Sequence, residues 1–559
     1  MDNKDIKDPN AFDDVHVGKP EYADYGDAAA QVETYSGEYV DAGHTALKRG
    51  LKPRHLAMIS IGGVIGTGLF LGTANALKNG GPLGLLLGYA AMGSVCYSVM
   101  ISLGSMISYL PIPGGHIRLA DRFVDPAFGF ALGWNYWYNW TIILPAELAA
   151  SAVLINYWIE PAKVNNAAWI SICLVVVFAI NFLGSGVYGE TEFWFCSIKV
   201  LTIVGLIILG IILTAGGGPD GKAIGFQYWK NPGPFVQYLG IAGSKGRFLG
   251  FWAVLSQAAF SYIGTEIVAI AAGEAKNPRR NLPKAIKRVY VRILIFYIGG
   301  VLVIGLLVPS NLKGLGLGTS NASGSPFVIA IKRSGIKALP SIINACLLTS
   351  AWSAASSDLY TSSRALYGLA LNGQAPKVFT KTTRNGVPWT ALMFSGSFGA
   401  LAYMSLQSNA GTVFNYFASL TAGAGLLTWL GICILYIRFH AGMKAQGIDM
   451  RTLPYHSKLN TGAFAAKYAA TFISVILLFF AWNVFADVKS DKFAAGLITN
   501  YLPQVMFPLI YFAYKLIKKT RIIGVEEMDF VSGIAEIEAD EEVELEPETR
   551  WKRFLSWLF

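Results

Sequence analysis

Twelve long apolar segments run through this chain of 559 residues and limit what it can fold into. Many of them reach the roughly 20 residues that an α-helix needs to cross a bilayer. Charged residues make up only 14% of the sequence, whereas a soluble protein carries about 25%. Alternating segments of about ten residues, typical of a transmembrane β-barrel, are absent from the sequence. We therefore predict an all-α integral membrane protein with twelve transmembrane helices, at about residues 56–76, 83–110, 127–158, 166–185, 192–214, 249–273, 290–309, 340–370, 388–407, 412–438, 467–487 and 495–517.

The basic residues between these segments predict the topology. The connection after segment 6 reads GEAKNPRRNLPKAIKRVYVR and holds seven lysines and arginines, whereas SLQSNAG after segment 9 has no charge. Because cytosolic loops carry the excess of Lys and Arg, we expect both termini in the cytosol. One outer loop, 215–247, carries four basic residues and is a mild exception.

The predicted organisation has four parts. Residues 1–50 are polar, lack the apolar stretch of a signal peptide, and are expected to form a disordered cytosolic tail. Residues 51–438 would hold a ten-helix core, and 439–519 would hold helices 11 and 12. Residues 520–559 are an acidic cytosolic tail ending in RWKRFLSWLF. That end is either a short amphipathic helix on the inner leaflet or disordered.

Segment 1 contains ISIGGVIGTGLF, a helix-like stretch with four glycines, at 62, 63, 66 and 68. Each glycine costs a helix interior about 1 kcal/mol relative to alanine. Either the helix unwinds here beside a cavity, or Gly62 and Gly66 form a G-x-x-x-G packing pair. Segment 6 carries SYIGTE at a corresponding depth, and a matching pair of interrupted segments points to a transporter binding site. Segments 1–5 and 6–10 would then be two inverted halves, with helices 1 and 6 discontinuous.

Five longer motifs resemble the fungal amino-acid permeases of the amino acid–polyamine–organocation superfamily. They are RHLAMISIGGVIGTGLFLGT, NGGPLGLLLGYAAMG, FVDPAFGFALGWNYWY, SYIGTEIVAIAAGEAKNPRRNLPKAIKRV and SSDLYTSSRALYGLALNGQAPKVF. The resemblance covers roughly residues 48–520. It implies a proton–amino acid symporter of the plasma membrane, with the leucine-transporter type of 5+5 inverted-repeat fold. ILPAELAASAVLINYW and SSDLYTSSRALYGLA look most like the dicarboxylic branch, which transports glutamate and aspartate.

The resemblance also implies a substrate site at the two interruptions. Backbone donors of segment 1 would bind the α-carboxylate, and carbonyls of segment 6 would meet the α-amine. Either of two aromatic residues of segment 6 would be the gate, although simple packing explains an aromatic residue there equally well. The implied residues are Ile65, Gly66, Thr67 and Gly68 for the carboxylate, Phe260, Ser261 and Ile263 for the amine, and Phe260 or Tyr262 for the gate.

Ionisable residues within apolar segments are expensive and usually functional. Glu147 in segment 3 is either a proton carrier or a partner for a backbone donor. Glu266 in segment 6 holds unwound backbone, orients substrate or carries the proton. Lys199 in segment 5 either snorkels to the interface or, as the resemblance implies, replaces a sodium ion between segments 1, 5 and 8. Segment 8 adds a polar lining, Ser353, Ser356, Ser357 and Asp358, and no role is assigned to Asp358.

Other function classes are disfavoured. The net charge of +10 arises from basic residues at membrane ends, which does not indicate nucleic-acid binding. Five irregularly spaced cysteines predict neither disulfides nor metal ligands, and no cofactor or enzymatic site is expected. A broad-range or proline-type permease, and a receptor that senses amino acids without transporting them, remain as alternatives.

The expected partners are the amino-acid substrate, the proton and membrane lipid. We also expect ubiquitin-dependent trafficking through Lys4, Lys7 and Lys19. Asn321 begins a glycosylation sequon.

Overall fold

The computed structural model describes His55, Met58 and residues 65–112, 114–219, 221–267, 278–316, 325–406, 409–487 and 493–534. Regular structure in these ranges is helical throughout, with no β-strand in them, so the all-α prediction is confirmed. Several predictions lie outside the described residues. They concern the tail 1–50, Gly62 and Gly63, the Asn321 sequon, and the chain end after residue 534.

The α-helices are joined by connections of very different length. In chain order they are α1 (Thr73–Tyr109), α2 (Gly115–Phe123), α3 (Pro126–Ile155), α4 (Asn166–Phe182), α5 (Ser185–Thr214), α6 (Gln227–Lys230), α7 (Gly243–Tyr262), α8 (Pro278–Arg292), α9 (Gly300–Leu307), α10 (Pro326–Arg333), α11 (Leu339–Leu371), α12 (Trp389–Ser397), α13 (Ala410–Ala445), α14 (Phe464–Leu478) and α15 (Phe493–Lys518). A π-helical turn, Gly68–Gly72, leads into α1, and another, Ile293–Gly299, joins α8 to α9.

Seven helical stretches of the described chain are long and apolar enough to cross a membrane. They are Gly68–Tyr109, Pro126–Ile155, Ser185–Thr214, Arg288–Leu307, Ala410–Ala445, Lys458–Phe485 and Phe493–Lys518. Helix α4, with 17 residues, is apolar but shorter. The number twelve for the transmembrane helices therefore stays a prediction.

Predicted segments 1 and 2 are joined by a sharp bend without an intervening loop. The bend lies at Gly81, with φ 74° and ψ 176°, and Pro82 follows it. A positive φ of this kind suits glycine, because a side chain would clash with the backbone. Proline lacks the N–H that a continuing helix would use. The two residues together explain why the chain changes direction here and remains helical on both sides.

The buried core lies around α1, α3, α11 and α13, and the outer helices leave apolar side chains exposed. Trp429 of α13 and Tyr136 of α3 are almost fully buried. By contrast, Leu201 of α5 is 73% exposed and Leu516 of α15 is 77% exposed. Lipid is as apolar as a leucine side chain, so exposed apolar faces on outer helices are what a membrane-spanning bundle requires.

Residues 520–534, which we name the C-terminal strap, pack against one end of the helical bundle. Phe530 is 1% exposed, and its ring stacks on Phe123 of α2 with the centroids 4.9 Å apart. Arg122 donates to the backbone carbonyls of Asp529 and Ser532 and forms an ion pair with the Asp529 carboxylate. The first part of the predicted acidic tail is therefore attached to the bundle through a buried aromatic residue and an arginine.

Two carboxyl groups near the end of α2 differ in their environment. Burial raises the pKa of Asp121 in α2 to about 7, although Arg118 and a hydrogen bond from Gln374 act in the opposite direction. Asp125 caps α3 by accepting from the N–H of Ala127. Burial alone would raise the pKa of Asp125, but hydrogen bonds from Lys515 and Thr520 hold it below its usual value.

Candidate functional site

The two predicted interruptions meet inside the bundle. His55 and Met58 are helical, Ile65 and Gly66 are not, and helical structure is present from Thr67 into the π-helical turn that begins at Gly68. Helix α7 ends at Tyr262, where the chain turns away. The first N–H groups of a helix and its last C=O groups have no partner within that helix. Donors from one interruption and acceptors from the other are therefore available in the same region.

Glycine is required where the two interruptions touch. A Cβ atom on Gly68 would lie 2.8 Å from the Cα of Ser261 and 3.1 Å from Cδ1 of Phe260. Contacts under 3.0 Å to backbone atoms are not tolerated by a real side chain. In the turn after α7, Gly264 has a φ of 98°, a conformation that favours glycine. Both glycines thus have a steric reason to be where they are.

A cavity lies at this contact. Its volume is ≈ 40 Å³, which is room for about three water molecules at 10–15 Å³ each. The cavity is lined by Gly66, Gly68, Trp140, Ile143, Glu147, Phe260, Ser261, Ile263, Gly264, Ile267, Ala354, Ser357 and Asp358. The described lining thus combines two carboxyl groups and two hydroxyls with aromatic and aliphatic surface, and contains no lysine, arginine or histidine.

Eight of the residues singled out from the sequence line this cavity: Gly66, Gly68, Glu147, Phe260, Ser261, Ile263, Ser357 and Asp358. Gly264, predicted only as part of the SYIGTE interruption, lines it too, whereas Trp140, Ile143, Ile267 and Ala354 line it and were not predicted. The remaining predicted residues do not line it and make contacts of their own. Because an apolar lining residue has the same sequence pattern as a packing residue, the sequence offers no signal that separates Ile143 or Ile267 from the core.

The two gate candidates occupy different environments. Phe260 lines the cavity and meets the ring of Phe414 edge-on, with the centroids 5.7 Å apart. Tyr262 is fully buried; its hydroxyl donates to the backbone carbonyl of Tyr89 at 3.0 Å, and its ring stacks on Tyr297 at 4.3 Å. Positions two apart on a helix point to nearly opposite sides, so only one of these rings can face the cavity.

Glu147 connects α3 to the interruption of segment 1. It is 2% exposed, and its Oε1 accepts a hydrogen bond from the hydroxyl of Thr67 at 2.7 Å. Its Oε2 has no hydrogen-bond partner among the described residues. Ile65 is held from another side, because the hydroxyl of Ser350 in α11 donates to its carbonyl at 3.3 Å. Side chains of α3 and α11 thus bind polar groups of Thr67 and Ile65, on either side of Gly66.

Lys199 is fully buried and pairs with a residue that the sequence analysis did not single out, Glu192. The Lys199 Nζ lies 3.8 Å from Oε1 of Glu192, and the two side chains are 0% and 1% exposed. Glu192 also accepts from the hydroxyl of Ser353 in α11 at 2.7 Å and from the thiol of Cys196 at 3.1 Å. This buried ion pair joins α5 to α11, and the snorkelling alternative for Lys199 does not fit a fully buried side chain.

The other segment 8 residues also bind neighbouring helices. Ser356 accepts from the amide of Asn181 in α4 at 3.1 Å. Ser357 accepts from the hydroxyl of Tyr188 in α5 at 3.0 Å, and Tyr188 stacks on Tyr360 with the centroids 3.8 Å apart. Asp358 is 3% exposed. Its Oδ2 has no hydrogen-bond partner in the described part of the chain.

Glu266 lies in the turn after α7 and is fully buried. Its Oε2 accepts from the backbone N–H of Gly264 at 3.1 Å and from Nε1 of Trp429 at 3.1 Å. The carboxylate therefore binds a backbone group of the turn and connects it to α13. Next to it, the hydroxyl of Thr265 donates to the carbonyl of Tyr262 at 2.7 Å and accepts from Arg292 at 3.0 Å.

A metal site is not formed by the described residues, since no three His, Cys, Asp or Glu side chains converge in them. The five cysteines are free thiols. The site is a set of buried hydrogen-bond donors and acceptors around a cavity between helices. The outer surface of the bundle is apolar. These features define a multi-pass membrane protein of the carrier type, in which binding sites lie at helix interruptions inside the bundle.

Comparison with known proteins agrees with this class. Residues 55–525 match the amino acid permease family, and the chain belongs to that family. It is 43% identical to a dicarboxylic amino acid permease of Saccharomyces cerevisiae over 493 residues, which are 87% of this chain and 80% of that protein. It is 41% identical to a proline-specific permease of Emericella nidulans over 545 residues, 96% of either chain. A lysine-specific permease of Saccharomyces cerevisiae is 41% identical over 510 residues, 91% of this chain and 82% of that protein. The relatives are thus permeases with different specificities, and the resemblance seen in the motifs is confirmed.

Proposed function

We propose that this protein is a proton-coupled amino-acid symporter of the plasma membrane that works by alternating access. The observation that carries the proposal is the cavity at the contact of Gly68 with Ser261, where two helix interruptions meet beside buried carboxyl groups. In this proposal both termini and the C-terminal strap lie in the cytosol, and lysines of the N-terminal tail serve ubiquitin-dependent trafficking. The fold would be the leucine-transporter type with twelve transmembrane helices.

A zwitterionic amino acid fits the two interruptions in one orientation. Its carboxylate would accept from the N–H groups at the start of the helix near Gly66 and Gly68, where the helix dipole also favours negative charge. Its ammonium group would donate to the last carbonyls of α7, near Phe260 and Ser261. Thr67 would assist in binding the carboxylate. The hydroxyl of Thr67 lies 2.7 Å from Oε1 of Glu147, and this contact would position it.

Movement of Phe260 would admit the substrate. The cavity of ≈ 40 Å³ is small for an amino acid, so binding requires lining side chains to move. Phe260 borders the cavity and contacts one neighbouring ring at its edge, whereas Tyr262 is held by a hydrogen bond and a stacked ring. We therefore assign the gate to Phe260. Glu266, through the N–H of Gly264, would keep the turn after α7 in shape while the gate moves.

Proton coupling would use the buried ionisable groups around the cavity. Glu147 borders the cavity, and the positive charge of Lys199 acts on it electrostatically. Lys199 lies between α5 and α11 through Glu192 and Ser353, which supports its comparison with a bound sodium ion in related carriers. A buried amine or carboxyl group without a charged partner tends to become neutral, the amine by losing a proton and the carboxyl group by gaining one. An inward proton gradient would supply the driving force.

We propose acidic amino acids as the substrates, in keeping with the dicarboxylic relative and the motifs it shares. A broad-range or proline-type permease is the second candidate, because permeases with proline and lysine specificity are almost equally similar. The site itself supplies no arginine or lysine among its described lining residues to bind a second carboxylate. The choice between the two candidates therefore depends on a measurement.

The test is uptake of labelled glutamate by cells that lack their own amino-acid permeases, with proline and arginine as competitors and the external pH varied. Saturable glutamate uptake that increases as the external pH falls, and that neither competitor reduces, supports the proposal. Competition by both indicates a broad-range permease. If the protein reaches the cell surface and takes up no amino acid, the proposal is wrong and a receptor function gains support.

A further inference from the structure

Two carboxyl groups share the cavity without a counter-ion in it. Glu147 and Asp358 are 2% and 3% exposed, both line the cavity, and each has one oxygen with no hydrogen-bond partner in the described structure. The described lining contains no basic side chain. Burying an isolated carboxylate is so costly that the group takes up a proton or a cation instead.

The buried cation whose charge acts on both carboxyl groups is already paired. Lys199 lies 3.8 Å from Glu192, which also accepts from Ser353. The charges that act on Asp358 are those of Glu147, Lys199 and Glu192. These four groups include three carboxyls and one amine, so full ionisation would leave two negative charges in excess. Two carboxyl groups in one site cannot both ionise easily and share a proton instead.

Asp358 is a better site than Glu147 for the proton that the two carboxyl groups share. The hydroxyl of Thr67 donates to Glu147, and a donor of this kind stabilises the charged form of a carboxyl group. The Oδ2 of Asp358 receives no such donor from the described residues. The negative charge of Glu147 then favours the neutral form of Asp358, so the two positions divide into one carboxylate and one carboxylic acid.

A neutral Asp358 would also supply what an acidic substrate needs. The hydroxyl of Ser261 is bonded to Tyr89 and to the carbonyl of Gln257, and that of Ser357 accepts from Tyr188. The O–H of Ser357, and Nε1 of Trp140, which has no hydrogen-bond partner in the described structure, are the neutral donors that the lining offers a second carboxylate on the substrate. The O–H of a carboxylic acid makes a short, charge-assisted bond to a carboxylate.

We propose that Asp358 holds the symported proton inside the substrate cavity and that its O–H group donates to the side-chain carboxylate of glutamate or aspartate. The proton enters from the outer solution, converts the Asp358 carboxylate to the acid, and leaves to the cytosol with the substrate. No other bond is made or broken. The inference rests on the proposed function and names Asp358, instead of Lys199, as the residue that exchanges the proton and gives acidic specificity, while Lys199 stays charged beside Glu192.

The test compares Asp358→Asn with the wild type in proteoliposomes. Asparagine keeps an N–H donor at this position but cannot take up a proton. We expect Asp358→Asn to exchange glutamate across the membrane within about fivefold of the wild-type rate, since its N–H donates to the same substrate carboxylate and the two hydrogen bonds differ by about 1 kcal/mol or less. We also expect its net uptake to lose its dependence on external pH and its proton-to-glutamate ratio to fall by one. Asp358→Leu, which has no donor, should raise the KM for glutamate about 10- to 100-fold.

The control is Glu160→Gln, an exposed carboxyl group between α3 and α4, which should behave as the wild type. A folded Asp358→Asn protein that keeps the wild-type ratio and pH dependence, or that no longer exchanges glutamate, overturns the inference. Calorimetry of the wild type in buffers with different protonation enthalpies gives an independent measurement. Glutamate binding should take up a proton at some pH between 5 and 8, and none at any pH contradicts the inference. If the wild type transports proline or arginine but not glutamate, the proposed substrate class fails first.

Discussion

Separating the two members of the buried ion pair between Glu192 and Lys199 should destabilise the protein strongly. The Nζ and Oε1 atoms are 3.8 Å apart and both side chains are essentially inaccessible. At an effective dielectric constant of about 20, unit charges at this distance attract by about 4 kcal/mol. Removing one partner leaves the other charge buried alone, and such changes cost about 3–5 kcal/mol. We therefore expect Glu192→Gln and Lys199→Met each to lower the free energy of unfolding by about that amount.

The double variant distinguishes this reasoning from a simple packing defect. Glu192→Gln with Lys199→Met removes both charges, so it should be less destabilised than the sum of the single variants, with a coupling energy of at least about 2 kcal/mol. The measurement is unfolding of the purified protein in detergent, by denaturant titration and by the thermal midpoint, with Glu160→Gln as the surface control. Single variants within about 0.5 kcal/mol of the wild type, or a double variant equal to the sum, would refute the assignment of a buried ion pair.

Three further predictions concern other parts of the molecule. Gly68→Ala should abolish amino-acid uptake and cost about 1–3 kcal/mol through overpacking, whereas Gly72→Ala, whose Cβ meets nothing within 4 Å, should be neutral; equal uptake by both variants would contradict the steric argument. Phe530→Ala should cost about 3–5 kcal/mol and expose the strap to protease, while Val531→Ala, at a position 76% exposed, should not. The pKa of Asp121 in the folded state is raised to about 7, so between about pH 4 and pH 7 the folded state binds more protons than the unfolded state. The free energy of unfolding should therefore decrease as pH rises from about 4 to about 7. Asp121→Asn should remove that decrease in denaturant titrations at several pH values, and an unchanged slope would exclude Asp121 as its source.

Part of the cavity lining could be predicted, because an interrupted transmembrane helix has a recognisable sequence pattern. Glycines inside an apolar segment, followed by a matching polar stretch five segments later, identified Gly66, Gly68 and Ser261. Glu147 and Asp358 were identified by a different rule, that a charge inside an apolar segment is rarely accidental. These signals depend on residue type alone. They carry no information on which face of a helix points to the cavity, so Phe260 and Tyr262 could not be separated.

Glu192 was overlooked because of where segment 5 was expected to begin. The apolar pattern begins at about residue 192, so a glutamate there looks like an ordinary charge at a membrane interface. The helix in fact begins at Ser185, two turns earlier, and the side chain of Glu192 is buried. The signal that could have found it is spacing, since residues seven apart on a helix share one face, and Glu192 and Lys199 are so related. The C-terminal strap was not predicted either, because its buried contacts, Phe530 on Phe123 among them, join positions about 400 residues apart.

The ionisable groups of the bundle interior fall into two sets with different consequences. Glu192 and Lys199 neutralise each other and connect α5 to α11 through Ser353, so their loss should appear mainly in stability. Glu147 and Asp358 face the cavity without a cation beside them among the described lining residues, so their loss should appear mainly in the pH dependence of transport. Ser353 and Asp358 are five residues apart on α11, which places them about 140° apart around the helix axis. If Asp358 carries the symported proton as proposed, α11 separates the Glu192–Lys199 ion pair from that proton, and movement of α11 relative to α3 or α5 would change the environment of both sets together.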